Sequence, residues 1–549
     1  MTYNLMTQPW LPVLDRQGKI SERSLSAVLL SLHEIQSLAL PTPTMVPAVL
    51  RQVLLPVVLD ALGVPRSPQE WQQRFEHGKF TSDERDTLTA YMDRQGDRFD
   101  LLSVERPFAQ VGGLEAANGE TKSPALLMPA VATGNNVPLF SALSEADPLQ
   151  LAPAQAALWL VHAHCWDTAA IKSGAVGDPK VKAGKTTGNH TGPLGQLGVI
   201  VPVGRTLYET VLLNLPVQYD GGTPGDAPQW AAADPATPCW QTRPARGLLD
   251  LMTWQSRRIR LIAAETPNGP RITRVVIAAG DRLESTPLYE PHTAWTQTAK
   301  PKAGQRPQRP RRHLPGRSAW QGMDTLLALS LPADGDGPYT SQLLRQLGEL
   351  EGEGCIAEDY PLRLETYAME YGNQSAVVEN SVHDTLPVPV AALAAEHAGL
   401  RDALLEAVGQ AGRLGRALDW LQMDLRRAAG GDPLPRDKGA RLSQQLPYAL
   451  DQPVRHLLTR LRGTAGDFDQ VETALGDWEA TLWDTAAALA HEQLAAAPPT
   501  AFGGRVTADG VFRTATAERG FRKALYATLP RAAEARRSPV QRSEAEVPA

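Results

Sequence analysis

From Leu400 onward, apolar residues recur at helical spacing: Leu400, Leu404, Val408 and Ala411, continued by Leu414, Leu418, Leu421 and Leu425. That period puts one apolar stripe on one long helix. Three further helical stretches follow near 438–463, 467–496 and 511–530. They are separated by Gly430-Gly431-Asp432-Pro433, by Gly463 to Gly466 and by Pro498-Pro499. Four long helices with short connections bury their stripes against one another, which predicts an up-and-down four-helix bundle over 379–530. Residues 531–549 are charged, rich in Ala, Pro and Ser and nearly free of large apolar groups, so they read as a disordered tail.

Residues 1–378 have a different texture, rich in Pro and Gly, with short apolar runs. Val199 to Val203, Thr210 to Asn214, Ile259 to Ile262 and Thr273 to Ile277 read as strands. The Asn268-Gly269 pair between the last two is a hairpin signal, because both residues tolerate positive φ. The fold class is therefore α+β: a large irregular N-terminal α/β domain followed by the helical bundle.

At 549 residues the chain is too long for one simple core. Its 54 Lys and Arg against 60 Asp and Glu give a formal charge of −6, which excludes a chain coated in basic charge. Local basic clusters still permit nucleic-acid binding. Cys165, Cys239 and Cys355 are too scattered for a CxxC site or a disulfide framework, which fits a reducing compartment. The most membrane-like stretch, Val46 to Val64, is interrupted by Arg51, Gln52 and Asp60 and reads as a buried helix. A cytoplasmic location is expected, with no signal peptide at the N-terminus.

Ala183-Gly184-Lys185-Thr186 after Gly177 suggests a phosphate-binding loop, but the spacing is wrong for a Walker A motif and Pro179 interrupts it. His162, His164, Cys165 and His190 suggest a metal, yet His162 and Cys165 share a helical face with Leu158 and read as packing. No metal, cofactor or catalytic constellation is expected, so the chain does not read as an enzyme. Two basic loops stand out. Ile171 to Gly198 carries Lys172, Lys180, Lys182 and Lys185 among seven glycines. Lys300 to Arg317 carries Lys300, Lys302, Arg306, Arg309, Arg311, Arg312 and Arg317 without one acidic residue. Each is either a solvated loop or a polyanion contact.

Several motifs in register resemble one family. They are Met6-Thr7-Gln8-Pro9-Trp10-Leu11-Pro12-Val13, Arg106-Pro107-Phe108-Ala109-Gln110, Thr210-Val211-Leu212-Leu213-Asn214 and Arg246-Gly247-Leu248-Leu249. Tyr371-Gly372-Asn373-Gln374-Ser375-Ala376 and Phe521-Arg522-Lys523-Ala524-Leu525-Tyr526 complete the set. Together they resemble the CasA family, the large subunits of type I-E CRISPR Cascade complexes. The resemblance implies a subunit that senses a short flanking motif, the PAM, in double-stranded DNA while the guide RNA reads the target. It implies a wedge that opens the duplex, help in recruiting a helicase–nuclease effector, and no nuclease activity of its own. Implied partners are the other Cascade subunits, CRISPR RNA, target DNA and that effector.

By position, the resemblance implies a wedge at Asn373 and Gln374. It implies a PAM-sensing loop over Ala169 to Gly174, which includes Ala170, Ile171, Lys172 and Ser173, with fewer glycines than the family shows. Arg282 is the implied minor-groove cation, and Lys180, Lys182 and Lys185 are expected phosphate ligands. Asn135 to Ser141 resembles a loop that touches the RNA handle and a neighbouring subunit, with Asn135, Asn136, Pro138, Leu139 and Phe140 as its contacts. Two other readings remain open at this stage: a nucleotide-dependent enzyme using the 171–198 loop, and a structural scaffold without DNA contact.

Overall fold

The computed structural model describes residues 1–133, 143–144, 146, 148–219, 223–304, 306–314, 316–330, 335–432, 435, 439, 441–507 and 510–536. The chain divides into two units. The first comprises Met1–Gly316, Ala328–Ile356 and Leu362–Thr385; the second comprises Arg317–Leu327, Ala357–Pro361 and the chain from Leu386 onward. The strand Val377–Leu386 closes the first unit, so the division falls at 385/386 rather than 378/379.

Among the described residues the first unit holds five small sheets, three of which carry every strand longer than three residues. Leu11–Asp15 lies between Ile20–Arg23 and Ile35–Leu38, antiparallel to both. The strands Arg257–Thr266 and Gly269–Ala279 form the expected hairpin, with Gly269 at φ +84°. Lys172–Ser173 extends that sheet in parallel beside Ala278, and Lys185–Thr186 forms its edge. The third sheet runs Val377–Leu386, Arg363–Gly372, Val199–Val203.

Thr210 to Asn214 is not a strand. It lies in and just after the helix Leu207–Leu213, whose N-cap Thr206 accepts a hydrogen bond from the Glu209 amide. The cap signal outweighs the β-branched run. Asn214, fully buried, donates to the carbonyls of Thr210 and Pro202.

The apolar stretch expected as a core helix runs over Met45–Leu62, and 78% of that window is buried. A π-helical turn at Leu50–Leu54 sets Arg51 inward, where it pairs bidentately with Glu290. Arg51 also donates to His292 Nδ1 at 3.0 Å, and His292 Nε2 lies 3.1 Å from Asn214 Oδ1. The helix Pro153–Trp166 is buried along most of its length. Its His162 meets the Thr44 hydroxyl at 3.0 Å, and His164 meets the Ala109 carbonyl at 2.8 Å. These histidines and Cys165 are core residues. Among the described residues, no three His, Cys, Asp or Glu side chains converge as a metal ion needs.

In the second unit, Ala398–Ala428 packs against Leu442–Arg460, Phe468–Ala495 and Thr514–Thr528. The predicted stripe is buried, except that Ala407 takes the inward position next to half-buried Val408. Residues 530–536 are helical, contrary to the tail expected from 531. Arg531 pairs with Glu472 at 2.7 Å and with fully buried Glu479 at 2.9 Å, while Ala532 and Ala533 are buried.

Burial drives the His162 pKa down to about 3 and that of His164 to about 4. In the unfolded chain both return to about 6.5. Below that pH the unfolded state takes up protons that the folded state refuses, so stability falls as pH drops from about 6.5 toward 4. Thermal unfolding followed across that window is expected to show a declining Tm; a flat Tm would contradict the assignment of both imidazoles as neutral core groups.

Candidate nucleic-acid interface

The hairpin of Arg363–Gly372 and Val377–Leu386 ends in a one-turn 3₁₀ segment, Asn373–Ser375. Asn373 and Gln374 are exposed at its tip. Gln374 (φ +56°) and Ser375 (φ +58°) both adopt left-handed backbone, which costs roughly 1–2 kcal/mol per non-glycine residue. Two hydrogen bonds hold the turn in that shape. The Ala376 amide donates to the Asn373 carbonyl at 3.1 Å, and the Ala169 amide donates to the Ser375 carbonyl at 2.8 Å. The second bond joins the predicted wedge to the predicted PAM-sensing loop.

That loop follows the helix Pro153–Trp166 and is anchored at Asp167. The Asp167 carboxylate pairs with Lys172 at 2.8 Å and with the Arg257 guanidinium. Arg257 also donates to the Thr168 and His190 carbonyls at 2.7 and 2.8 Å. Burial alone raises the Asp167 pKa, but Lys172 and Arg257 outweigh it and bring the carboxyl down to about 2. Burial pulls the Lys172 pKa down against the opposing pull of Asp167. Lys172 is thus committed inside the protein and is not a free cation. Tyr371, two residues before Asn373, donates its phenol to the Trp166 carbonyl at 2.6 Å. It passes over Gly195, where a β-carbon would stand 2.3 Å from the phenol oxygen. The Ser375 and Tyr371 contacts thus both lead back to residues 166–169.

Within the loop, Ile171 is 61% exposed and Ala170 half-buried, while Ser173 is in strand pairing. Gly174 is buried where a β-carbon would meet Val181 at 2.4 Å, so its role is close packing.

Arg282 opens the short strand Arg282–Leu283. Its guanidinium lies 3.9 Å from the Trp240 ring centroid and donates to the Thr187 carbonyl at 2.8 Å. The Lys180 ammonium lies 3.8 Å from the same ring. One indole thus carries two cation–π contacts. Asp178 fixes the indole by accepting from Trp240 Nε1 at 3.0 Å. Burial, then Arg257, lowers the Arg282 pKa; a guanidinium remains charged all the same. Trp240 and Asp178 carry no sequence signal, since an isolated Trp after Pro238-Cys239 has no spacing pattern.

The three predicted phosphate lysines therefore separate. All three are exposed, but the Lys180 ammonium lies against Trp240 while Lys182 and Lys185 flank a hairpin tip. Their backbones pair at 3.0 and 3.1 Å around left-handed Ala183 and Gly184. The Gly184-Lys185-Thr186 sequence thus ends a hairpin and does not open a helix, so the helix N-terminus that a P-loop uses for phosphate is missing there. In the second basic loop, Lys300, Lys302, Arg306 and Arg309 are exposed beside the strand Gln308–Pro310. The predicted RNA-handle contacts Asn135, Asn136, Pro138, Leu139 and Phe140 lie outside the described residues.

Comparison with known proteins first gives a class: the matching folds are CRISPR-associated proteins. Cse1 of Thermobifida fusca shares 33% identity at a TM-score of 0.82, covering 97% of this chain and 99% of that one. The CasA/Cse1 protein of Thermus thermophilus is 33% identical over 269 residues, 47% of this chain. That match spans 49%, about half, of the length of the curated relative. A chain of a CRISPR RNA-guided surveillance complex shares the fold at a TM-score of 0.70 with 19% identity, covering 96% of this chain and 99% of that one. The family model for CRISPR-associated protein Cse1 matches residues 4–489. The chain belongs to the Cse1 family.

Asp167→Asn keeps the side-chain shape but leaves Lys172 and Arg257 facing each other without their anion. Breaking such a buried pair costs about 3–5 kcal/mol. Denaturant unfolding is expected to show a loss at the lower end of that range, since Asp167 keeps 14% exposure. A loss below about 1 kcal/mol, the value of a surface pair, would contradict the anchoring role.

Proposed function

We propose that this chain is the large subunit of a type I-E CRISPR Cascade complex, reading the PAM of double-stranded DNA and wedging the duplex open. The observation that carries the reading is the exposed Asn373–Gln374 tip, held in a strained turn and bonded to the 167–172 loop. Short amides at a projecting, rigid tip offer donors and acceptors where a base pair has been vacated. A loop that senses the PAM and a wedge that shares its backbone hydrogen bond act at one place on the duplex. Arg282, held against Trp240, offers its remaining donors to the minor groove, and Lys182 and Lys185 face the phosphates. The 135–141 segment contacts the RNA handle and a neighbouring subunit. Guide pairing reads the target, the helicase–nuclease effector cuts it, and this cytoplasmic subunit performs no bond chemistry itself.

Two experiments test the reading in the assembled complex. Asn373→Ala with Gln374→Ala is expected to slow strand opening roughly tenfold, the rate equivalent of one DNA stacking step of about 1.4 kcal/mol. Initial duplex association is expected to change little, and a pre-melted bubble beside the PAM restores opening. Permanganate reactivity of thymines measures this directly; opening of intact duplex at the wild-type rate would refute the wedge.

Lys182→Ala with Lys185→Ala is expected to reduce the slope of log affinity against log salt by ~0.9 per lost duplex-phosphate contact. Lys180→Ala is expected to leave the slope closer to wild type, since that ammonium already lies against Trp240. An unchanged slope in the double variant would mark the hairpin tip as merely solvated.

A further inference from the structure

Beside the Asn373–Ser375 turn opens a cavity of about 490 Å³. That volume lies within the ~300–1,000 Å³ of typical small-ligand pockets. Its walls include Leu126, Met128, Ile171 and Val378, with Thr168 as a hydroxyl-bearing residue among them. Lys185 also lines it, and that side chain is exposed. Among the described residues the Lys185 ammonium makes no ion pair; only its backbone is used, in the hairpin. The Asp167 carboxylate reaches the same wall but is neutralised by Lys172 and Arg257. The cavity therefore joins those aliphatic walls to the hydroxyl-bearing residues Thr133, Thr168 and Ser173, to a cation without an ion pair at Lys185, and to a second cation, Lys122, that pairs with Glu120.

We propose that this cavity receives one unstacked nucleotide of the strand displaced when the duplex opens at the turn. The inference rests on the wedge reading and deepens it. Opening one step leaves two bases without partners. The base on the guide-matched strand gives its pairing edge to RNA, whereas the displaced base has both faces and its edge free. The aliphatic walls cover the base faces, and Lys185 neutralises the adjoining phosphate. A hydroxyl both donates and accepts, so the site tolerates any base. Val378 follows the turn by three residues, and Ile171 belongs to the loop bonded to it. The cavity is thus placed to hold a base at the step where the wedge enters. Capture there opposes reclosure and lengthens the life of the first opened step.

The test uses the assembled complex with its guide RNA and duplexes carrying 2-aminopurine at the first displaced position. In the wild-type complex the probe is expected to be unstacked yet protected from acrylamide quenching. Met128→Trp fills the cavity, and Lys185→Gln removes the cation without adding bulk. Each is expected to expose the probe to acrylamide, and Met128→Trp to speed reclosure roughly tenfold, the scale of one base contact. An abasic nucleotide at that position removes the base without altering the protein, and wild-type reclosure is expected to match that of Met128→Trp. A probe as quenchable in the wild type as in free single strand, or an abasic duplex that recloses at the intact rate, would overturn the proposal. Failure of the wedge reading shows elsewhere, as normal opening by the Asn373→Ala, Gln374→Ala variant.

Discussion

Asp167 sits where a buried helix ends and a surface loop begins, and its carboxylate decides what that loop can do. Removing a carboxylate from water is costly, and the cost is met only when cations and donors surround it. Here Lys172 and Arg257 supply the charge. Arg257 then extends its remaining donors to the Thr168 and His190 carbonyls. The guanidinium thereby ties three segments together: the helix end, the long hairpin and the glycine-rich loop. The Asn373–Ser375 turn hangs from this knot through Ala169 and Tyr371. A strained tip keeps its shape only if its surroundings over-determine it, and this cluster is what does so.

The bundle was legible in the sequence because a 3.6-residue period sustained over several turns admits few other solutions. The α+β class of the remainder followed from short β-branched runs between Pro and Gly. Local signals failed where a cap or a partner decided the outcome. Thr210 to Asn214 looks extended by composition, yet Thr206 and Glu209 begin a helix around it. Arg531 looks like part of a solvated tail, but a buried acid at 479 needs it. Lys172 looks like a phosphate ligand among glycines, whereas its ammonium turns inward to Asp167. The deciding residue is a helix cap in the first case, an acid far upstream in the second, and in the third a nearby carboxylate whose burial no local pattern announces.

The motifs that carry the family resemblance are mostly core. Trp10 is fully buried and donates to the Leu5 carbonyl. Phe108 stacks on Phe99, and Gln110 accepts from the Leu261 amide. Gly247 allows Asp226 to cap the helix Leu248–Met252, since a β-carbon there would meet that carboxylate at 2.3 Å. Such residues identify a fold without touching a ligand. The motif from Tyr371 to Ala376 joins a foot that bonds to the Trp166 carbonyl with an exposed tip at Asn373 and Gln374. Trp240, Asp178 and Arg257, which shape the candidate site as strongly, left no pattern in the sequence because their partners come from other segments.

The Glu479–Arg531 pair bears on the order in which the second unit is completed. Glu479 lies mid-way along one helix with no exposure, and its cation arrives 52 residues later in the chain. During synthesis the helix containing Glu479 emerges before Arg531 exists, with only Gln410 available among the side chains that later bind the acid. An unpaired carboxylate resists burial, so the three earlier helices are expected to stay loosely associated until the last segment docks. The unit is then expected to close late, and a ribosome stalled before residue 531 to display a more protease-sensitive chain than the finished bundle.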